Sequence, residues 1–200
     1  MAEKSKIESA VFIIESLTRS DEKDERFEGR ILNHILGLAN KEVQYVYIRT
    51  VKELETVLKE FGNSRMRYLH FSCHGNANTI ALGLENLSFA KFSNIVRPYL
   101  YKRRLFFSAC EVVNKYLAAK VIPGSGCYSV IGPEKPISFG DAAIMWSSFY
   151  HLMFRENQKV MKKEQIEANL KGFYKTFNVP FLYYGSSKSA PEGFKKHVLS

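Results

Sequence analysis

Short apolar runs alternate along the chain with longer segments whose apolar residues recur at helical spacing. Residues 10–17 (AVFIIESL), 43–48 (VQYVYI), 68–72 (YLHFS), 104–108 (RLFFS), 127–131 (CYSVI) and 181–185 (FLYYG) are rich in β-branched and aromatic residues, which predicts six strands. After the first, Ser20 and Asp21 are candidate N-caps, and the acidic residues that follow suit the positive end of a helix dipole. That helix carries Ile31, Leu32, Ile35, Leu36 and Leu38 and ends near residues 37–40. Thr50 caps the next, which runs through Phe61 on Val51, Leu54, Val57 and Leu58 and closes at Gly62. Residues 79–82 and 86–89 flank Gly83 as a small hairpin. Further helices are expected over residues 90–100, with Pro98 distorting the last turn, and over 111–119, 141–154 and 163–177. Gly132 and Pro133 break the fifth strand, and residues 1–8 and 186–200 read as flexible tails, the second of them basic.

Strands that alternate with helices argue for a mostly parallel sheet with right-handed crossovers, an α/β fold. The composition does not shift along the 200 residues, so a single domain over 1–200 is expected. At 46% hydrophobic and 14% aromatic residues, the chain has enough apolar material to fold without staples. Three cysteines with no CxxC pair, and no secretory signal at the start, point to a reducing compartment, with cytoplasm as the expectation. No apolar stretch approaches the roughly 20 residues of a membrane span, so no membrane association is expected. The net charge of +9 is spread over the chain in small clusters at 102–104, 162–163 and 195–196. No nucleic-acid motif accompanies it, and nucleic acid is not expected as a direct ligand.

Two strands end in reactive residues. The third runs into His74 and Gly75 (YLHFSCHG) and the fourth into Cys110 (LFFSAC). As neighbouring parallel strands they bring a base and a nucleophile to one edge of the sheet, where open α/β folds place their sites. A free thiol is mostly protonated at neutral pH, and an adjacent imidazole corrects this. The N–H groups of Gly75 and Cys110 are then the natural donors to an oxyanion. Taken singly, a buried cysteine is more often a small core residue and a strand-end histidine merely polar. Cys73, His74 and Cys110 lack a fourth ligand, so no metal and no cofactor is expected.

A hydrophobic strand ending in His-Gly followed by one ending in Ala-Cys resembles the caspase-like cysteine peptidases, and most closely their CHAT domains. TIALGLENLSF is similar to the hairpin after their histidine strand, and SFGDAAIMWSSFYHLMF to the region after the strand that follows the cysteine. The resemblance covers about residues 10–185 and implies a caspase-like three-layer sandwich with a central sheet of about six strands. It further implies an intracellular endopeptidase of prokaryotic type in which Cys110 attacks a peptide carbonyl and His74 protonates the leaving amine. Asp141 resembles the position that supplies an acidic pocket residue in separase-like relatives, which would select a basic side chain before the cut, although it is equally placed to cap a helix. Glu111, beside the nucleophile, is the other candidate for that charge. Family members commonly act under associated domains, so a regulatory protein partner is expected beside the protein or peptide substrate. Glu111, Val112 and Val113 stand where the caspase motif soon has a glycine. An inactive caspase-like module that binds a peptide or an acidic partner is therefore the alternative, and a different doubly wound hydrolase with an incidental cysteine the third reading.

Overall fold

The computed structural model describes residues 8–200. Its elements are β1 (Glu8–Ser16), α1 (Arg19–Lys23), α2 (Glu28–Leu38), β2 (Val43–Tyr47), α3 (Val51–Asn63), β3 (Met66–Cys73), β4 (Thr79–Leu82), β5 (Glu85–Ser88) and α4 (Phe89–Val96). A single 3-10 turn (Arg97–Tyr99) leads to β6 (Arg104–Phe107), α5 (Lys115–Val121), β7 (Ser129–Pro133), α6 (Phe139–Glu156), α7 (Lys163–Phe177), β8 (Phe181–Ser186) and β9 (Phe194–Leu199). Seven strands form one sheet in the order β2-β1-β3-β6-β7-β8-β9, and β4 and β5 pair separately as the expected hairpin. The first five pair in parallel, while β8 and β9 run antiparallel.

Helices cover both faces. Phe12, Ile14, Leu69, Phe71, Leu105 and Phe107 meet the apolar stripes of α3, α4 and α5, and Val11, Ile13, Tyr68 and Phe106 meet those of α2, α6 and α7. Central strands buried on both sides need apolar residues at every position, which is why β1, β3 and β6 read as continuous runs. No described helix is long and apolar enough to cross a membrane.

The structure departs from the sequence expectations in several places. The first helical segment is two helices: Thr18, not Ser20 or Asp21, caps α1, and Glu25 takes a left-handed turn (φ 54°) before α2 begins. Residues 111–113 form a turn, and α5 starts only after Asn114, whose side chain caps it. β7 continues through Gly132 and Pro133, because β8 pairs with it as far as Pro133 opposite Phe181. Within residues 186–200, read as a tail, β9 adds a seventh strand whose Phe194 and Leu199 are buried while Lys195 and Lys196 face outward. Of the expected N-terminal tail, residues 1–7 lie outside the described residues and Glu8 already belongs to β1.

One buried polar cluster ties α2 to the sheet. The Glu15 carboxyl accepts from the Gly29 N–H (2.6 Å), the Tyr45 hydroxyl (2.7 Å) and the Ser72 hydroxyl (3.1 Å), and Ser72 also contacts the Glu28 carboxyl. Gly29 makes the approach close, since a Cβ would lie 3.1 Å from Ile13 and 3.2 Å from Glu15 and the neighbours would have to give by a few tenths of an ångström. Ser72 has one proton and two carboxyl neighbours, so one of the two carboxyls must bring a proton of its own. Burial, with the nearby Glu28 charge, accordingly raises the Glu15 carboxyl above its ordinary range against the pull of its hydrogen bonds. A group raised on folding stabilises fully below its unfolded value and loses that contribution as pH rises through the folded one. Glu15→Gln removes that loss, so its thermal midpoint is expected to fall less between about pH 5 and about pH 8 than that of the parent chain. An equal or larger fall in the variant would contradict the shared proton.

Candidate active site

β3 and β6 are adjacent, with Phe71 opposite Phe107, and the Ser108 N–H donates to the Phe71 carbonyl at 2.8 Å. The chain leaves the sheet at one edge after both strands, delivering His74 from one and Cys110 from the other. The structure thus brings the two sequence candidates to neighbouring strand ends. Among the described residues no hydrogen bond joins them directly.

The three thiols have different surroundings. Cys73 and Cys127 are buried, whereas Cys110 is partly exposed. Burial pushes the Cys73 thiol far above the ordinary range, with Glu28, Cys110 and Glu15 adding to it, and pushes Cys127 up to about 12. Neither buried thiol can supply thiolate at neutral pH, which leaves Cys110.

His74 has a partner that the sequence reading missed. Its Nε2 lies 2.8 Å from Asp21 Oδ2, with the histidine side chain 40% exposed and the aspartate 8%. Burial pulls the Asp21 carboxyl up, but hydrogen bonds from Thr18 and His74, reinforced by the charges of His74 and Arg26, outweigh it and hold the group below the usual carboxylate range. An ionised Asp21 accepts the Nε2 proton and leaves Nδ1 as the basic nitrogen. Phe139, the first residue of α6, packs edge-on against the imidazole with centroids 5.5 Å apart. Three elements therefore fix one ring: the turn of α1, the end of β3 and the start of α6.

The loop after Cys110 is wedged in place. Glu111 adopts φ 58°, a conformation that side chains other than glycine enter only at a cost of about 1–2 kcal/mol. That turn sends Val112 and Val113 inward, where both are buried. A Cβ on Gly75 would lie 2.2 Å from Val112 Cγ2 and 2.8 Å from the Thr79 carbonyl, and one on Gly132 would lie 2.6 Å from Val113 Cγ2. Gly75 also forms an isolated bridge with Ile80 that uses the Asn76 N–H and the His74 carbonyl. Its own N–H stands outside that pairing. Asn114 donates from Nδ2 to the Ala77 carbonyl at 3.0 Å and to the Glu111 carbonyl at 3.1 Å, tying the cysteine loop to the histidine loop.

The two specificity candidates differ in place. Asp141 sits in the first turn of α6, exposed, with Oδ2 accepting from the Ser138 hydroxyl at 2.8 Å and its N–H donating to the same oxygen at 3.1 Å. That is a helix-capping arrangement. Glu111 is exposed beside the nucleophile. Among the described residues no group of three histidine, cysteine or acidic side chains is placed to hold a metal ion.

A parallel sheet with helices on both faces, a hairpin after the histidine strand and a cysteine after the next strand define a caspase-like fold, and the comparison with solved structures agrees. The chain superposes on a secreted C11 cysteine protease from Bacteroides thetaiotaomicron, iotapain, with a TM-score of 0.59 at 11% identity, over 90% of this chain and 67% of the other. At that identity the likeness concerns the fold. No protein-family model and no curated protein sequence matches the chain.

Gly75→Ala is expected to destabilise the protein by about 1–3 kcal/mol, the range for overpacking a filled site. Val112→Ala in the same chain should recover part of the loss, so chemical denaturation of both single variants and the double variant will show coupling. Additive losses would mean that Val112 is not what excludes a side chain at position 75.

Proposed function

We propose that the chain is a caspase-like cysteine endopeptidase of the CHAT type, cytoplasmic, controlled by a protein partner and cutting after a basic residue. The observation that supports it most is that His74 and Cys110 leave adjacent strand ends while Asp21, in the short helix after β1, pairs with the histidine. Asp21 follows β1, His74 follows β3 and Cys110 follows β6, and the aspartate holds the histidine at 2.8 Å. On this reading the Cys110 proton passes to Nδ1 of His74, and the thiolate attacks the scissile carbonyl. The N–H groups of Gly75 and Cys110 hold the oxyanion, and Asp21 stabilises the imidazolium. As the C–N bond breaks, the imidazolium gives its proton to the leaving amine. Water then hydrolyses the thioester and the thiol is restored. The exposed Glu111, next to the nucleophile, supports selection of a basic side chain, since a carboxylate there attracts a cation across the strand ends.

Alkylation of Cys110 by iodoacetamide, with the adduct located by peptide mass, tests the dyad without a substrate. The rate is expected to be high already at about pH 6–7, to fall at least tenfold in His74→Ala and to fall about three- to tenfold in Asp21→Asn. A thiol that titrates near ~8.5 and ignores His74, and still does so after incubation with a native lysate that retains its partner proteins, would remove the enzyme reading. It would leave a peptide-binding module on the same fold.

A further inference from the structure

The basic residues that look scattered along the chain are gathered in space. In a mostly parallel sheet, the connections that precede the strands lie at the end opposite the catalytic edge. Here these are residues 39–42, 64–65, 97–103, 122–128, 157–162 and 187–193. They contain eight lysines and arginines, at 41, 65, 97, 102, 103, 159, 162 and 188, against two acidic residues, Glu42 and Glu192. The connections at the catalytic edge, residues 17–27, 48–50, 74–88, 108–114, 134–138 and 178–180, contain seven acidic residues and five basic ones. The formal balance is thus +6 at one end and −2 at the other.

The members of the basic end divide into two kinds. Arg103 is buried on Phe61 and donates to the carbonyls of Tyr99 (2.9 Å) and Ser64 (2.7 Å), and burial lowers its pKa to about 10. Arg97 likewise donates to the carbonyls of Lys120 (2.9 Å) and Pro123 (2.6 Å). These two hold the fold together. Lys102, Lys159, Lys162 and Lys188 are exposed. The Lys102 ammonium stands 5.2 Å from the centroid of the Tyr101 ring, and no carboxylate among the described residues pairs with any of the four.

Beside them stand exposed aromatic rings. Tyr101 is 64% exposed and Tyr128 39%. The two belong to one surface, because the Lys102 N–H donates to the Gly126 carbonyl (3.0 Å) and the Tyr128 N–H to the Arg103 carbonyl (2.8 Å). Tyr101 packs against Gly126, where a Cβ would come within 2.5 Å of the ring. The Ser186 N–H reaches the Tyr128 carbonyl at 2.9 Å, which brings the turn carrying Lys188 alongside. Unpaired lysines that track phosphates, together with exposed rings on which bases stack, are the two components of sequence-tolerant single-strand binding. We propose that this end of the sheet binds single-stranded nucleic acid. The inference stands on charge and exposed rings, independently of the catalytic reading.

The test is fluorescence anisotropy of the full chain with a fluorescein-labelled oligothymidylate about twenty nucleotides long. With four phosphate contacts at a slope of ~0.7 each, affinity is expected to fall about fifty-fold between about 50 and about 200 mM salt. Lys102→Glu, Lys159→Glu and Lys188→Glu together should weaken binding at least about tenfold, and Tyr101→Ala alone about fivefold or more. Lys52→Glu, Lys91→Glu and Lys135→Glu together, the same charge change near the catalytic edge, should cost no more than about threefold. Absence of binding at the lower salt, or equal losses from the two triple variants, overturns the proposal. Binding to phosphatidylserine vesicles without binding to the oligonucleotide overturns it as well, and assigns the basic end to a membrane surface.

Discussion

The hydrogen bond from the Ser108 N–H to the Phe71 carbonyl, 2.8 Å long, is the last rung joining β3 to β6, and the candidate site depends on it. Phe71 and Phe107 are register partners, so His74 and Cys110 each lie three residues beyond a matched pair. A shift of β6 by one residue against β3 would carry Phe107 out of one core and into the other. Burial on both faces therefore enforces the register. A parallel sheet then does the rest: both strands end at the same height, and whatever follows them meets at the edge.

Adjacency alone does not fix side chains, and here packing supplies what the sheet cannot. Val112 and Val113 are driven into the core against glycines that leave no room for a side chain, one after β3 and one within β7. Asn114 then straps the cysteine loop to the histidine loop. Asp21 is held at a distance by the Glu15, Ser72 and Glu28 cluster, because that cluster anchors the start of α2 and with it the short helix that precedes it. The position of His74 thus rests on hydrogen bonds made in the interior, each contributing about 0.5–1.5 kcal/mol.

The strands that carry the candidate dyad were legible in the sequence because double burial writes itself as an unbroken apolar run. β9 was not, because FKKHVL buries only Phe194 and Leu199 and turns its lysines to solvent, as an edge strand does. Gly132 and Pro133 read as breakers on propensity. In the fold β6 pairs with β7 only as far as Ile131, so the missing proline N–H falls where no β6 partner exists. Asp21 escaped notice because an acidic run suits a helix N-terminus for its own reasons. The available signal was Thr18, whose hydroxyl three positions earlier makes a cap and marks the aspartate as turned inward. Cys110 was singled out by its place after the fourth strand, whereas the burial that separates it from Cys73, one residue before His74, is set by packing and does not show in the linear pattern.

Charge distribution shows the same gap between sequence and space. Helices that follow parallel strands begin at the edge of the candidate site, so their positive ends point there and acidic first turns such as those holding Asp21, Glu53 and Asp141 are favoured on local grounds. Local complementation accounts for part of the acidic character of that edge. It does not account for the opposite end. Lys102, Lys159 and Lys188 lie in connections, outside the last turn of any helix, where no dipole rewards them. Like charges gathered on one surface repel, and with only two carboxylates, Glu42 and Glu192, set against eight lysines and arginines in these connections they weaken the folded state slightly. A chain that places its acids after the strands and its free lysines before them looks evenly charged when read in order, yet folds into a molecule with opposed ends. Whatever binds the basic end can do so while the edge that carries His74 and Cys110 stays uncovered.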